Sequence, residues 1–326
     1  KLAPLNAALF ANSPFYEGEL TENASYRSRV WLDVDNSRSG LVAPIWQAGA
    51  GYKEYIEWAL DAPMFLFKRA GKVVDNRGQA FRDFWKNGFQ GHFPTHGDWE
   101  THLNTLFPEV RLKKTIEIRS ADAQGNDTAI ALPALWTGLL YDSQALAEAN
   151  ALVADFSFDE ISALRPVLWQ KGLQTPFRGG TLADVASDVL RIAAGGLERR
   201  AIRDTSGVDE RVFLATLKDL VAAGKTPADR VRERLGENPA KADILAALAL
   251  EPAQFVPQFA YFVPPEGTEC GTLRRPWFPA TAPPSVASSS KTLRRCASSS
   301  FSRLGEFRAW RWWRQRTGPM RSESSP

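Results

Sequence analysis

Residues 107–122, with the sequence FPEVRLKKTIEIRSAD, carry the pattern from which we derive the fold. Side chains alternate between the two faces of a strand, so Ile116 and Ile118 would share one face. Glu117 and Arg119 would share the other face, side by side. The alternation predicts a β-strand at this point of the chain, with one apolar face and one charged face.

The charged face has a chemical interpretation. A carboxylate such as that of Glu117 is a hard oxygen ligand suited to Mg²⁺. The guanidinium of Arg119 is a rigid fork suited to phosphate or carboxylate. A strand with this face could hold a divalent cation and an anion together. The alternative is a solvent-exposed ion pair, because charged side chains on strands usually face water.

The composition is that of a soluble globular protein. Of the 326 residues, 44% are hydrophobic and 24% are charged, which are ordinary values for such chains. No run of 18 apolar residues occurs, so no membrane span is expected. The sequence begins Lys1-Leu2-Ala3-Pro4, with neither Met nor a signal-peptide pattern, and this indicates the interior of a longer chain.

Basic residues are concentrated in residues 264–326. This tail holds 11 Lys and Arg against 4 Asp and Glu, whereas residues 1–263 hold 29 against 33 and are net acidic. The high overall pI therefore belongs to the tail. It gives no argument that the body binds nucleic acid.

The tail is also rich in Ser, Pro and Trp without any sustained period. Such a segment buries too little apolar surface to fold alone. We predict a disordered or frameshifted extension, since out-of-frame reading of a GC-rich gene yields this composition. A basic, Trp-containing tail could instead contact membrane or nucleic acid, which we rank last.

Both cysteines, Cys270 and Cys296, lie in the tail. The body therefore offers no disulfide framework and no cysteine metal site, and a cytoplasmic protein is expected. The only histidines are His92, His96 and His102. Their spacing straddles a loop rather than one helix face and does not favour a metal site.

A second charged strand is predicted at residues 25–32. Arg27 and Arg29 are two positions apart, so they would share one face of this strand and could bind an anion together. Alternatively, the strand lies at the edge of a sheet and both side chains face solvent. A buried strand is predicted at 64–67.

Apolar residues at helical spacing predict most of the remaining elements. Thr181 with Asp184 predicts a capped helix start, and Gly195-Gly196 could mark a break. The predicted helices span residues 52–60, 81–85, 98–106, 134–141, 144–152, 158–168, 182–200, 209–223, 228–235 and 240–250.

Several blocks of the sequence resemble glutamate–cysteine ligases of the plant and proteobacterial type. They occur in the family's order, which is far more specific than one short motif. Besides residues 107–122, the blocks are LFANSPF at 9–15, SYRSRVWLDVDNSRSG at 25–40, EWALDAPMF at 57–65, FRDFW at 81–85, PTHGDWETHLNTLFPEVR at 94–111, ALPALWTGLLYD at 131–142 and TPFRGGTLADVASDVLRIAAGGLERR at 175–200.

The resemblance implies an α+β fold, part of an antiparallel sheet funnel of the glutamine-synthetase type packed against helices. Residues 1–130 would form part of the catalytic sheet region. Residues 131–263 would form the helical C-terminal part of the same domain, and the loop at 175–178 would face the active site. Residues 264–326 lie outside the resemblance.

The resemblance also implies a reaction and its participants. The family joins L-glutamate to L-cysteine through a γ-glutamyl phosphate, using ATP and Mg²⁺, in the first step of glutathione biosynthesis. Glu117 would be a Mg²⁺ ligand, and Arg119 would contact the transferring phosphoryl group. Arg27 would bind a substrate carboxylate, and Trp31 and Trp58 would line the pocket for the thiol-bearing substrate. No nucleic acid, membrane or obligate protein partner is expected.

Two further expectations follow from the resemblance. Other metal-binding carboxylates and much of the nucleotide site would lie in an N-terminal half absent from this sequence, so little or no activity is expected of the chain alone. The cysteine switch of the plant members would also be absent, since residues 1–263 contain no Cys. The alternatives are a related carboxylate–amine ligase with another amine substrate, and a non-catalytic binding protein derived from the ligase; alone, the sequence leaves both open.

Overall fold

The fold contains α-helices and short pairs of β-strands. The structure is a computed structural model that describes residues 1–236 and 238–250. This mixture confirms the predicted α+β class. The predicted tail, with both cysteines, lies outside the described residues. The predicted domain boundary after residue 130 falls within a helix that begins at Asn126.

Twelve α-helices occur in residues 1–236 and 238–250, together with 3₁₀ helices at Ala43–Trp46, Gly172–Gln174 and Glu210–Leu214. They are α1 (Ala3–Leu9), α2 (Tyr26–Val30), α3 (Tyr52–Asp61), α4 (Phe81–Asn87), α5 (His96–Asn104), α6 (Asn126–Leu140), α7 (Ser143–Leu152), α8 (Phe158–Lys171), α9 (Leu182–Arg200), α10 (Ala215–Ala222), α11 (Pro227–Leu235) and α12 (Lys241–Leu248).

The strands of the described residues form five separate pairs. Four pairs are antiparallel, and the pair of β3 with β6 is parallel. The strands are β1 (Phe15–Tyr16), β2 (Glu19–Leu20), β3 (Ser39–Gly40), β4 (Leu66–Arg69), β5 (Lys72–Asp75), β6 (Phe107–Pro108), β7 (Val110–Leu112), β8 (Ile116–Ile118), β9 (Pro176–Phe177) and β10 (Gly180–Thr181). One continuous sheet is therefore not assembled from these residues.

The predicted strand at residues 25–32 is wrong, because this segment forms α2. The Ser25 side chain accepts a hydrogen bond of 3.0 Å from the backbone N–H of Ser28 and so caps the first turn. A capping serine favours a helix start over an extended chain. Arg27 and Arg29 consequently leave the segment in different directions instead of sharing one strand face.

Most of the helix predictions are confirmed, and the caps explain why. Helix α9 has the predicted bounds, and Asp184 accepts a hydrogen bond of 2.7 Å from the backbone N–H of Thr181. Thr95 with Asp98 caps α5 in the same way. The predicted helix at 134–141 is only the second half of α6, and that at 209–223 is a 3₁₀ turn followed by α10.

The largest apolar core joins α1, α6, α8, α9 and α10. At the crossing of α6 and α9, two glycines bring the helix backbones together. A Cβ added to Gly196 would lie 2.0 Å from the carbonyl oxygen of Gly138. The break predicted at Gly195-Gly196 is wrong, since α9 continues through it. Here glycine permits close helix packing and does not end the helix.

A smaller aromatic core forms around α3, α4 and α5. His102 lies within it, 1% exposed, and donates an Nε2–H hydrogen bond of 2.7 Å to the carbonyl of Ala59. Its ring packs 4.9 Å from that of Phe81. Burial disfavours the imidazolium ion and lowers the pKa of His102 to about 4, although the bond to Ala59 acts in the opposite direction.

No helix of residues 1–236 and 238–250 combines the length and apolar character needed to cross a bilayer.

Replacing Gly196 should damage the α6–α9 crossing. Gly196→Ala places a methyl group against backbone, which cannot move as a flexible side chain would. We expect the free energy of unfolding to fall by about 2–4 kcal/mol, measured by urea denaturation. The matched control is Gly97→Ala in α5, whose Cβ would have Thr95 Oγ1, at 3.7 Å, as its one close neighbour in the part of the chain that the structure describes. Equal stability of the two variants would contradict the packing described here.

His102 should make the protein less stable in acid. Its folded pKa of about 4 lies below the unfolded value of 6.5, so the unfolded chain binds more protons between these pH values. Stability should therefore be lost as pH falls from 6.5 to 4, by up to about 3 kcal/mol. Denaturant titrations of His102→Gln should show a shallower pH slope. His96→Gln, at an exposed position, should keep the wild-type slope, and a slope unchanged in His102→Gln would contradict the account.

Candidate active-site cleft

The hairpin of β7 and β8 carries the charged face predicted from the sequence. Arg111 and Glu117 are register partners, and Arg111 donates to both carboxylate oxygens of Glu117 at 2.8 and 3.0 Å. Arg119 donates to the same carboxylate at 2.8 Å. Glu117 and Arg119 therefore lie side by side, as predicted, and Arg111 is a third member of the cluster.

The Glu117 carboxylate is held in its charged form by these arginines. Partial burial would raise its pKa, but the hydrogen bonds from Arg111 and Arg119 outweigh burial and hold the pKa of Glu117 below its usual range. Lys113 adds a third positive charge, 3.6 Å away. The surroundings of this carboxylate are net positive.

A cleft that is open to solvent lies beside this cluster. Its walls come from α1, α2, α8, β3, β6 and the segments flanking β7 and β8. The side chains that matter for chemistry are Arg27, Trp31, Glu109, Arg119 and Arg165. The cleft therefore brings together Arg27 and Arg165, which are 138 positions apart in sequence, and its described lining holds three guanidinium groups and one carboxylate.

Arg27 reaches the cleft from α2. One guanidinium nitrogen donates to the carbonyl oxygen of Arg119, and the guanidinium lies 5.5 Å from the centre of the Trp31 ring. Burial lowers the pKa of Arg27 from its ordinary value, partly opposed by the charges of Asp122 and Glu109. A partly desolvated guanidinium is a strong site for a carboxylate or phosphate.

Asp122 fixes the position of α2. It accepts hydrogen bonds from the backbone N–H of Asn12 at 2.7 Å, from Ser13 Oγ at 2.7 Å and from Ser25 Oγ at 2.9 Å. Burial raises the pKa of Asp122, and these hydrogen bonds act against it. Since Ser25 also caps α2, this buried carboxylate ties the helix that carries Arg27 to the segment that follows β8.

Glu109 and Arg165 form a second ion pair in the cleft. Arg165 Nε donates to Glu109 Oε1 at 2.8 Å. The other oxygen, Glu109 Oε2, is buried and has no hydrogen-bond partner among the described residues. Burial raises the pKa of Glu109, whereas Arg165 and Arg27 act in the opposite direction. A buried acceptor without a donor lowers stability by about 1–3 kcal/mol. A ligand that donates a hydrogen bond to Glu109 Oε2 would remove this penalty.

Several predicted site residues lie outside the cleft. Trp58 is not among the residues that line it. Its ring lies tilted at 5.4 Å from that of Tyr55 and packs against the apolar cluster of Ala59 and Leu106. Arg29 lies over the ring of Trp169. The shared pocket predicted for Trp31 and Trp58 is therefore not formed by the described residues.

The loop at residues 175–178 is also directed elsewhere. Arg178 pairs with Asp155 and Glu160, each at 2.8 Å, and stacks over Phe156. It does not line the cleft. The prediction that this loop faces the active site gains no support from the described residues.

The described residues do not fit a magnesium site. Both oxygens of Glu117 are engaged by guanidinium groups, and residues 1–236 and 238–250 contain no group of three His, Cys, Asp or Glu arranged to hold a metal ion. The three histidines are dispersed: His92 packs on Phe67, His96 is exposed and His102 is buried. A cation shell needs several oxygen ligands, which one paired carboxylate cannot supply.

Sequence reasoning missed Glu109, Arg111, Arg165 and Asp122. Glu109 and Asp122 lie within the stretch quoted above but outside the strand alternation that drew attention to Glu117. Arg165 is more than forty positions from that stretch, and only the packing of α8 against α2 brings it there. Its one local signal is a charged residue flanked on α8 by the buried Leu164 and Leu168.

Comparisons with known proteins agree with the resemblance. The model of glutamate–cysteine ligase family 2 matches residues 1–249. Proteins named chloroplastic glutamate–cysteine ligase from Nicotiana tabacum and Arabidopsis thaliana are 41% and 42% identical over 235 residues, which cover 71% of this chain and 44% of each relative. The relative from Brassica juncea is 43% identical over 235 residues, 71% of this chain and 45% of its own length.

The chain thus spans less than half the length of these relatives. Their names place them in the chloroplast, so a cytoplasmic location of this chain stays a prediction.

Magnesium should not stabilise the described body through Glu117. A site with a dissociation constant of about 1 mM would add about 1.4 kcal/mol at about 10 mM Mg²⁺. We expect no such rise in the urea midpoint of the chain. Glu117→Gln should instead lower stability by about 1 kcal/mol at any Mg²⁺ concentration, because Arg111 loses its partner. The control is Glu100→Gln on the surface of α5. A magnesium-dependent rise present in wild type and lost in Glu117→Gln would reinstate the metal role.

Proposed function

The chain belongs to glutamate–cysteine ligase family 2, and from this premise we propose that it contributes to ATP-dependent ligation of L-glutamate, through its γ-carboxylate, to L-cysteine. This is the first step of glutathione biosynthesis. The observation that carries the proposal is the cleft in which Arg27 and Arg119 meet. Both residues lie within the part of the chain that the family matches.

The proposed chemistry explains why arginines are needed. A carboxylate does not react with an amine until it is activated, and transfer of the γ-phosphoryl group of ATP to the glutamate side chain provides that activation. Phosphoryl transfer depends mainly on positioning and on neutralising the charge that develops. Fixed guanidinium groups in a partly buried cleft meet both requirements.

Each predicted residue receives a distinct role. Arg27 holds a substrate carboxylate with the guanidinium nitrogens that it does not use on the carbonyl of Arg119. Arg119 keeps one nitrogen on Glu117 and directs its remaining donors to the phosphoryl group or acyl phosphate. Trp31 forms the apolar wall beside Arg27 and faces the thiol-bearing substrate. Glu117 orients Arg119.

ATP and Mg²⁺ remain the predicted cofactors. The described residues supply no ligand set for the metal, and the chain covers less than half of its relatives. We therefore place the metal-binding carboxylates, and much of the nucleotide site, in the part of the family that this chain does not match. The chain alone is then expected to have little or no ligase activity.

One alternative is favoured by a specific observation. Residues 1–236 and 238–250 contain no set of metal ligands. This is what we would expect of a ligase-derived protein that binds amino acids without joining them. The other alternative is a related ligase with another amine substrate, which would differ from a glutamate–cysteine ligase in the pocket around Trp31. Offering other amines in the assay below distinguishes that case from glutamate–cysteine ligation.

Arg119→Ala should reduce dipeptide formation by about 10²–10³-fold, because a donor to developing charge is lost. The assay uses the chain joined to the part of the tobacco relative that it does not match, supplied with ATP, Mg²⁺, glutamate and cysteine. γ-Glutamylcysteine is measured by mass spectrometry.

The matched control is Arg77→Ala, an exposed arginine whose ion pair within residues 1–236 and 238–250 is with Asp75; this change should leave the turnover number unchanged. The urea midpoints of both variants are measured alongside, to exclude unfolding as the cause. An unaltered turnover number in folded Arg119→Ala would contradict its role. Binding of substrates by the joined protein without any product would favour the non-catalytic alternative.

A further inference from the structure

Glu109 is the carboxylate of the cleft that the proposed function leaves without a role. Its Oε1 accepts a hydrogen bond from Arg165, but its buried Oε2 has no partner among the described residues. It lines the same cleft as Arg27 and Arg119. Among the described residues that line the cleft, Glu109 is the one acid beside three guanidinium groups, and it gives the cleft a place that attracts a positively charged group.

The backbone holds Glu109 firmly at this place. Its N–H donates to the carbonyl of Gly40 at 2.9 Å, and its own carbonyl accepts from the N–H of Arg119 at 2.9 Å. These two bonds join Glu109 to β3 on one side and to the residue after β8 on the other. Its position relative to Arg119 is therefore set by main-chain contacts as well as by side-chain packing.

Arg165 orients the carboxylate. Besides its bond to Glu109, it donates to the carbonyl of Trp31 at 3.3 Å. A Cβ on Gly40 would lie 3.2 Å from the Arg165 guanidinium, and Gly40 has a φ of +79°, so glycine leaves the room that Arg165 needs. With Oε1 occupied from this side, Oε2 is the oxygen left for a ligand.

Arg27 supplies the complementary charge. It uses one guanidinium nitrogen on the carbonyl of Arg119, and its other nitrogens have no hydrogen bond among the described residues. An α-amino acid carries a carboxylate and an ammonium group on the same carbon. A guanidinium with free donors and a carboxylate with a free acceptor, in one cleft, match that pair of charges.

We propose that Glu109 is a specificity-determining residue that binds the α-ammonium group of an amino-acid substrate whose α-carboxylate contacts Arg27. The inference rests on the proposed function, since it takes the substrates to be amino acids. On this proposal the cleft recognises both charged groups of the amino acid. Arg27 alone would bind an amino acid and a simple carboxylic acid equally well.

The same geometry has a purely structural interpretation, in which Glu109 only neutralises Arg165. The two interpretations differ in how the cleft treats ligands that lack the ammonium group. Glutarate is glutamate without it, and 3-mercaptopropionate is cysteine without it. Recognition at Glu109 predicts discrimination within each pair, whereas a structural role predicts none.

The test is isothermal titration of the full chain with L-glutamate, glutarate, L-cysteine and 3-mercaptopropionate. Wild type should bind at least one amino acid about 10- to 100-fold more tightly than its analogue, the range expected of one hydrogen-bonded charge pair. Discrimination within the glutamate pair identifies the glutamate ammonium as the ligand, and discrimination within the cysteine pair identifies the cysteine amine.

Glu109→Gln should reduce this preference to about one by weakening amino-acid binding alone. The side-chain carbonyl of Gln can still accept from Arg165, and the midpoint of thermal unfolding checks that the variant folds. Glu100→Gln, on the exposed face of α5, should keep the wild-type preference. The wild-type comparison needs no variant and stands even if Glu109→Gln does not fold.

Equal affinities within both pairs in wild type would overturn the inference, as would absence of binding by all four ligands. So would a preference retained in Glu109→Gln, or an equal loss of amino acid and analogue. The dipeptide assay reports separately on the proposed function. Discrimination at Glu109 without dipeptide formation refutes the ligase proposal alone, and dipeptide formation without discrimination refutes the role of Glu109 alone.

Discussion

The buried carboxylate of Asp122 is the interaction on which the cleft depends. It gathers hydrogen bonds from Asn12, Ser13 and Ser25, and Ser25 in turn caps α2. Burying a carboxylate is costly unless hydrogen bonds satisfy it, so these donors and Asp122 hold each other in place. Through this cluster the segment after β8 and the helix that carries Arg27 form a single unit. Together with the direct bond from Arg27 to the carbonyl of Arg119, this cluster fixes the two arginines relative to each other.

How far the sequence predicts the fold depends on the range of the forces involved. Helix α9 was predicted to the residue because its apolar spacing and its Thr181–Asp184 cap are local. Helix α2 was mistaken for a strand because five residues are too few for a period, and a capping serine decided the matter. Gly195-Gly196 was mistaken for a break because the close neighbour of Gly196, Gly138, lies on another helix. Local sequence signals were sufficient to predict the long helices. They were misleading where contacts with other elements determine the local structure.

The same distinction applies to the site. The alternation around Ile116 predicted that Glu117 and Arg119 would lie together, and they do. It could not predict that Arg111 would donate hydrogen bonds to both oxygens of Glu117. That contact depends on the register between β7 and β8, which the pattern of one strand does not determine. Glu109 and Arg165 meet because α8 packs against α2 and so reaches the segment between β6 and β7. Their pairing leaves no periodic trace in the sequence, and a single chain without packing information cannot reveal it.

The electrostatic character of the cleft follows from these contacts. Three guanidinium groups face one carboxylate in a partly desolvated space, which favours an anionic ligand carrying one positive group. The most direct test is a crystal structure of the chain soaked with L-glutamate. The account predicts glutamate in the cleft, with a carboxylate against Arg27 and Trp31 alongside. Glutamate bound elsewhere on the chain, with Arg27 unchanged and without ligand, would contradict it.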